Sequence, residues 1–184
     1  MDIRIRHLQV EDDYKAVHEM LNSQTVINGT MRLPHASLAY TRQRLAAKED
    51  AIMLVVTADE EVVGYAEMIT YPHVPRHRHV GDINLIMVRE GWQGKGIGRL
   101  LMTKLIELAD QWLQITRLAL TVWADNERAI QLYCQMGFEI EGTMPAYVFR
   151  AGRYVDAYMM GRLLPRRNCP DQQALQANWL KAVR

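Results

Sequence analysis

The sequence predicts an α/β (α+β) fold of three layers, in which helices lie on both faces of a mixed central sheet. Short β-rich runs alternate with helical segments along the chain. The apolar run Ile83–Val88 is too short for a helix and is bounded by charge, which is typical of a buried central strand. With 184 residues and 49% hydrophobic content, the chain is long enough for one domain with a sizeable core.

The first half of the chain predicts a strand, two helices and a hairpin. Alternating isoleucine and arginine indicate a half-exposed strand, and the acidic residues 11–13 suit the N-terminus of a helix. Residues 22–36 contain Asn28-Gly29 and Pro34 without a sustained period, so an irregular loop is predicted there. The ordered elements are a strand at residues 3–5, a helix at 11–21, a helix capped by Ser37, and a hairpin of strands at 51–57 and 62–71.

The second half of the chain alternates strands and helices around Ile83–Val88. Apolar residues at helical spacing predict one helix from Ile97 to about Gln114, with Trp112 on its apolar face. Residues 1–164 make up the predicted domain. The remaining predictions are a strand at 118–123, a helix from Asn126 to about Met136 ended by Gly137, a strand that begins at 138–141, a hairpin of 147–150 with 154–160, and a C-terminal extension at 165–184 with a short helix.

Charge, cysteine content and hydropathy limit the classes of function. The formal net charge of +1 gives no reason to expect nucleic acid or an anionic membrane as a partner. The two cysteines, Cys134 and Cys169, indicate neither a disulfide framework nor a metal site. No apolar run approaches the ~20 residues of a membrane helix, and the charged N-terminus is unlike a signal peptide. We therefore expect a cytoplasmic protein that needs no metal.

The glycine-rich turn after the central strand predicts an anion site. The first amides of a helix have no partner within it, and the helix dipole adds partial positive charge there. Glycine lacks the Cβ that would hold a phosphate away from those amides. Gln93, Lys95 and Arg99 add side-chain donors around the same opening. The expected ligand carries phosphate and is bound mainly by backbone.

The spacing of the glycines distinguishes between known phosphate motifs. Gly94, Gly96 and Gly98 run G-x-G-x-G, whereas the dinucleotide fingerprint requires G-x-G-x-x-G. The lysine is followed by glycine and not by the Ser or Thr of a P-loop. The pattern Q-x-x-G-x-G at residues 93–98, preceded five residues earlier by Val88, instead resembles the acyl-CoA signature of the GNAT N-acetyltransferase superfamily.

A second block of sequence strengthens this resemblance. Asn126 and Tyr133 are seven residues apart, close to two helical turns, so they share a face with the small Ala129 between them. Taken alone, they are expected to be a helix cap and a core aromatic. Followed by Gly137-Phe138, the pattern N-x-x-A-x-x-x-Y resembles the second conserved block of the superfamily. Over residues 3–163 the chain resembles the bacterial amino-acid N-acetyltransferase branch.

The resemblance implies a GNAT-like sheet whose central strand pair splays apart to receive acetyl-CoA. The amine would attack the thioester directly, with a backbone amide near residues 86–88 stabilising the oxyanion. Tyr133 would lie near the sulfur and act as the general acid for the leaving thiolate. The implied cofactor-binding residues are Ile86, Met87, Val88, Gln93, Gly94, Lys95, Gly96, Ile97, Gly98, Arg99, Asn126 and Tyr133.

The sequence leaves the general base open. Asp82, on the central strand, ranks before Glu67, on the preceding strand, although an ordinary salt bridge or strand-end hydrogen bond explains either carboxylate equally well. A histidine of the loop at residues 71–79 or a water molecule is a further alternative. Unless a bulge intervenes, strand parity puts on one side Asp82, Asn84, Ile86 and Val88.

Three segments are expected to frame the acceptor pocket: residues 24–35, 71–79 and 142–154. Their apolar and neutral-to-basic composition favours an amino acid over a strongly cationic amine. Arg76 or Arg78 is a candidate partner for a substrate carboxylate. The candidate substrate-binding residues are Met31, Leu33, Asn84 and Tyr147.

The leading hypothesis is an acetyl-CoA-dependent N-acetyltransferase that acts on the primary amine of a small molecule, with an amino acid as the expected acceptor. One alternative is an acetyltransferase for peptide or protein N-termini, and another is a non-catalytic acyl-CoA-binding module. A dimer is common in this superfamily, and an apolar tail around Trp179 is compatible with one.

Overall fold

Strands and helices alternate as the sequence predicts, and a single mixed sheet forms the middle layer. The computed structural model describes residues 2–46 and 50–164. The elements in chain order are β1 (Ile3–His7), α1 (Val10–Leu21), α2 (Gln24–Asn28), α3 (Leu38–Ala46), β2 (Ala51–Ala58), β3 (Glu61–Thr70), β4 (Val80–Val88), α4 (Ile97–Glu107) with a π-helical turn (Leu108–Trp112), β5 (Arg117–Trp123), α5 (Glu127–Gln135), β6 (Glu139–Arg150) and β7 (Arg153–Leu163).

The sheet separates two hydrophobic clusters. Its strand order is β1-β2-β3-β4-β5-β7-β6, and β4 with β5 is the parallel pair among the described strands. Leu101 and Leu105 of α4 pack on one face, where α5 also contributes partly buried residues. Val17 of α1 and Leu45 of α3 pack on the other face. The three-layer α/β prediction is confirmed.

The sheet divides between β4 and β5. The two strands pair only from Val80–Arg117 to Ile83–Leu120. Beyond this point β4 continues to Val88 along β3, and β5 continues to Trp123 along β7. Because each strand follows its other neighbour, a gap opens between them, and the backbone edge of β4 faces that gap.

A register shift reorients β4 at the start of the gap. The partner of Glu67 on β4 is Leu85 and the partner of Met68 is Ile83, so Asn84 is the additional residue. Ile83 and Ile86, three residues apart, consequently pack on the same face of the sheet. The bulge therefore breaks the alternation along β4, so that Ile86 and Val88 share the face of Ile83 and not that of Asp82.

Two local predictions were wrong. The segment 22–36 is not wholly irregular, because it contains the short helix α2, whose N-cap Ser23 accepts a hydrogen bond from the Val26 amide (3.4 Å). Helix α4 also does not continue regularly to Gln114. The π-helical turn, in which the Leu113 amide donates to the Leu108 carbonyl, changes the helical phase and leaves Trp112 72% exposed.

Strand β7 ends at Leu163, and the predicted C-terminal extension at 165–184 lies outside the described residues. No helix within residues 2–46 and 50–164 is long and apolar enough to cross a membrane.

Candidate active site

A cleft of about 1070 Å³ passes through the gap between β4 and β5. We call its two parts the donor end and the acceptor end. The donor end comprises residues 86–88 of β4, the turn and start of α4 at 93–99, and α5 with its cap at 126–133. The acceptor end lies toward α2 and α3 and is lined by Met31, Arg32, Tyr40, Arg44, Asp82, Asn84 and Tyr147.

Backbone geometry gives the donor end its open amides. Gly96 is the N-cap of α4 with a φ of 84°, and Gly94 has a φ of 82°, a region that glycine adopts without the strain of a side chain. The Leu100 amide donates to the Gly96 carbonyl (2.9 Å), so the amides before it precede the first helical hydrogen bond. Among the described residues, no atom lies within 4 Å of a Cβ built on Gly96. This turn therefore fits a phosphate group.

The polar side chains around this turn differ in whether they line the cleft. Gln93 donates to the Val88 carbonyl (3.5 Å), and Arg99 donates to the Gln135 side chain. Lys95 lies 4.6 Å from the centre of the Trp92 ring and is outside the cleft lining. Arg128, which our sequence reasoning missed, lines the cleft and approaches Gly94, with its Nη2 atom 3.7 Å from a Cβ built there.

Helix α5 brings two predicted residues to the donor end. Asn126 is its N-cap, and the Oδ1 atom accepts a hydrogen bond from the Ala129 amide (3.2 Å). Tyr133 is partly buried, and its ring centre lies 6.1 Å from that of Phe138. Burial raises the pKa of the Tyr133 phenol to about 12. The phenol is therefore protonated throughout the neutral range.

The two predicted carboxylates occupy different environments. Asp82 is partly buried, lines the cleft and accepts a hydrogen bond from the Tyr71 hydroxyl. This hydrogen bond is the main reason that the pKa of Tyr71 rises to about 12. Glu67 is completely buried and accepts hydrogen bonds from Tyr65 (2.7 Å), Arg44 (3.2 Å) and the side chain of Asn84. Glu67 thus supports the cleft from behind, whereas Asp82 borders it.

Hydrogen bonds from distant strands hold the loop after α2 over the acceptor end. Trp123 of β5 and Arg150 of β6 both donate to the Asn28 carbonyl, at 3.1 and 2.8 Å. Met31 and Tyr147 lie in the cleft lining, whereas Leu33 is 84% exposed and lies outside it. The predicted substrate residues therefore separate into those that line the cleft and Leu33, which does not line it.

The histidine- and arginine-rich loop does not reach this cleft. Residues 72–79 are all exposed and lie outside the cleft lining, so the structure does not bring Arg76 or Arg78 to the acceptor end. Arg32 and Arg44 occupy that place, and our sequence reasoning missed both. For Arg44 a signal was present, because it lies beside Leu45 on the buried side of α3. For Arg32 no local pattern was available.

Comparison with known proteins agrees with the geometry. The model of the Acetyltransferase (GNAT) family matches residues 14–138. L-amino acid N-acetyltransferase AaaT from Escherichia coli (strain K12) is 40% identical over 162 residues, which cover 88% of this chain and 98% of that protein. Spermidine N(1)-acetyltransferase from the same organism is 27% identical over 161 residues, which cover 86% of this chain and 84% of that protein.

A solved structure extends the similarity to the fold. The crystal structure of ribosomal-protein-alanine N-acetyltransferase from Brucella melitensis matches with a TM-score of 0.76 and 27% identity, covering 88% of this chain and 99% of that chain. The family match includes the turn before α4, the gap between β4 and β5, and α5. The chain therefore belongs to the acetyltransferase (GNAT) family and is an N-acetyltransferase.

Proposed function

We propose that this N-acetyltransferase transfers the acetyl group of acetyl-CoA to the α-amine of an L-amino acid. The observation that carries the proposal is the 40% identity to an L-amino acid N-acetyltransferase over nearly the whole of that protein. The separation of the cleft into a backbone-rich donor end and a side-chain-rich acceptor end supports it.

Acetyl-CoA supplies an acetyl thioester, and the donor end has the groups to hold its parts. The amides after Gly96 would donate to the diphosphate at the N-terminus of α4, with Arg128 as a nearby cation. The free edge of β4 at residues 86–88 would pair with the pantetheine arm in the manner of a strand. Asn126 would donate through its amide nitrogen, since Oδ1 caps α5.

In this proposal Asp82 accepts a proton from the substrate and Tyr133 donates one to the leaving group. Asp82 would accept a proton from the substrate ammonium, directly or through water, so that a neutral amine forms the new C–N bond as the C–S bond breaks. Backbone N–H groups of residues 86–88 would stabilise the negative charge that develops on the carbonyl oxygen. Tyr133 would donate its phenolic proton to the sulfur, and the second proton that the nitrogen loses on forming the amide would return to the Tyr133 phenolate through water.

The high pKa of Tyr133 keeps the phenol protonated at neutral pH, so that it has a proton to donate. In water a phenol is a weaker acid than a thiol of pKa ~8.5, so it would be a poor proton donor to the corresponding thiolate. Burial that raises the pKa of Tyr133 also disfavours a thiolate in the same place, so the proton affinities of the two groups move together. Glu67 is assigned a different role: it orients Asn84 and Arg44 from behind the cleft.

The similarity to the ribosomal-protein-alanine enzyme favours a second candidate, acetylation of a protein N-terminus. Thiol release from acetyl-CoA in the presence of the twenty amino acids, spermidine and an alanine-terminated peptide distinguishes the candidates. We expect the highest kcat/KM with an L-amino acid. Turnover of only the peptide or only spermidine would contradict the proposal, and saturable acetyl-CoA binding without turnover of any acceptor would indicate a non-catalytic module.

A further inference from the structure

The acceptor end carries a pair of arginines to which neither the family comparison nor the proposed chemistry gives a role. Arg44 projects from α3, and Arg32 lies in the loop after α2. Both line the cleft beside Asn84 and on the side of the sheet opposite to α4. They therefore belong to the acceptor end of the cleft, apart from the glycine-rich turn before α4.

Arg44 is held firmly but not completely satisfied. Its Nη2 atom donates to Glu67 (3.2 Å), which also holds the side chain of Asn84. Its Nη1 atom is buried and, among the described residues, has no hydrogen-bond partner. Buried donors without a partner are rare in native proteins, so this N–H group needs an acceptor that the described residues do not supply.

Arg32 adds a second positive charge at the same place. Burial and the proximity of Arg44 lower the pKa of Arg32, an effect that the charge of Glu67 only partly opposes. The carboxylate of Glu67 already accepts hydrogen bonds from Tyr65, Arg44 and Asn84, and its charge does not cancel the repulsion between the two guanidinium groups. An anion bound there would relieve the repulsion between them.

The other arginines of the cleft are engaged elsewhere. Arg117 forms a bidentate ion pair with Glu141, and Arg99 donates a hydrogen bond to the side chain of Gln135. Arg128 lies beside Gly94 at the donor end. The available guanidinium donors at the acceptor end are thus those of Arg32 and Arg44.

We infer that Arg44 and Arg32 bind the α-carboxylate of the acceptor substrate and so determine selectivity for free amino acids over amines without an acidic group. This inference rests on the proposed function and names the residues that select its substrate. A planar guanidinium binds a carboxylate through two parallel hydrogen bonds, and the unpartnered Nη1 atom of Arg44 supplies one of them. The same two charges repel a polyamine such as spermidine.

The test uses matched acceptors that differ only in the carboxylate. Wild-type enzyme and the variants Arg44→Met and Arg32→Met are assayed with the best amino-acid acceptor and with its carboxamide. Comparing one pair of acceptors across variants cancels the difference between the pKa values of their amines. We expect Arg44→Met to lower kcat/KM for the acid by about 100-fold or more while changing that for the carboxamide by less than about threefold.

The controls separate folding, location and substrate class. Arg76→Met, in the exposed loop outside the cleft, should leave both acceptors unaffected. Retained turnover of the carboxamide shows that Arg44→Met is folded. That variant could instead lose both activities together with its thermal transition. In that case Arg32→Met tests the assignment, because no ion pair between Arg32 and Glu67 is found among the described residues.

Two results have distinct meanings. Suppose that the wild-type enzyme turns over amino acids. If both arginine variants then lower kcat/KM equally for the acid and the carboxamide, or lower it for neither acceptor, the carboxylate assignment is overturned while the proposed function stands. If the wild-type enzyme acetylates spermidine or a peptide but no amino acid, the proposed function fails and the assignment fails with it.

Discussion

The donor end and the acceptor end of the cleft are built in opposite ways. The phosphate site of the donor end depends on backbone atoms of one continuous stretch, the turn at residues 93–98, in which Gly94 and Gly96 have the positive φ values needed to direct amides outward. The acceptor end depends on side chains from three separate elements, α3, β3 and β4, which meet around Glu67 and Asn84. One is a local property of the chain and the other a product of its tertiary fold.

This difference teaches where specificity resides in the molecule. A backbone cradle recognises diphosphate whatever the other substrate is, so the same turn serves any acceptor. The charge and shape of the acceptor end, in contrast, change with single side chains. We therefore expect substitutions at the donor end to act on acetyl-CoA and substitutions at the acceptor end to act on the amine.

The largest expected effect belongs to Gly96→Val. A branched side chain there would occupy the open space over the first amides of α4 and strain a φ of 84°. Losing two charge-assisted hydrogen bonds predicts acetyl-CoA binding about 100-fold weaker, measured by calorimetry.

Gly91→Val is the matched control for this variant. Its φ of 80° brings similar backbone strain, but Gly91 lies outside the cleft lining. We expect Gly91→Val to bind acetyl-CoA normally. Equal affinities for the two valine variants would show that the turn is not the phosphate site.

Tyr133→Phe should follow in size and should separate chemistry from binding. Removal of the general acid predicts a kcat about 100-fold lower. The Kd for acetyl-CoA should remain within about twofold, because the ring still packs near Phe138. Rapid-quench kinetics with parallel calorimetry measures both quantities. A joint loss of affinity and rate would instead mark the tyrosine as structural.

Substitutions of Asn126 should have a smaller effect on acetyl-CoA affinity, and they distinguish a helix-capping role from a role in binding the cofactor. Serine caps helices as well as asparagine does but lacks the amide nitrogen. Asn126→Ser should therefore keep the thermal transition while weakening acetyl-CoA binding by about three- to tenfold. Asn126→Ala, which also loses the cap, should cost about 1 kcal/mol of stability. Unchanged affinity in both variants would leave Asn126 with the capping role alone.

The smallest expected change is in the pH profile. Since burial raises the pKa of Tyr133 to about 12, the phenol stays protonated as pH rises, and activity that requires this proton is lost only as pH approaches that value. We expect kcat to show no decline up to about pH 10.5. A basic limb near the ordinary phenol pKa of 10.0 that disappears in Tyr133→Phe would show that the phenol is not desolvated in the working enzyme.

The two ends also differed in how far sequence alone could describe them. The strand, turn and helix around Gly96 follow from a buried apolar run, glycines and helical periodicity, which are all local signals. The same reasoning missed the short helix α2, which lies in a segment without a sustained period, and misplaced Trp112, because a single π-helical hydrogen bond alters the phase of α4.

At the acceptor end, sequence could not indicate which cations line the cleft. Arg76 lies in an obviously basic loop but is exposed outside the cleft, whereas Arg44 meets Glu67 from 23 positions away. Such contacts depend on how α3 packs against the sheet, which no local pattern reports.

Hydrogen exchange with and without acetyl-CoA tests the central claim most directly. If the donor lies in the gap of the sheet, saturating acetyl-CoA should slow exchange of the amides at residues 86–88 and 96–99 and leave those of β1 and β2 unchanged. Unchanged exchange at both donor-end segments, in a protein saturated with acetyl-CoA, would contradict the account.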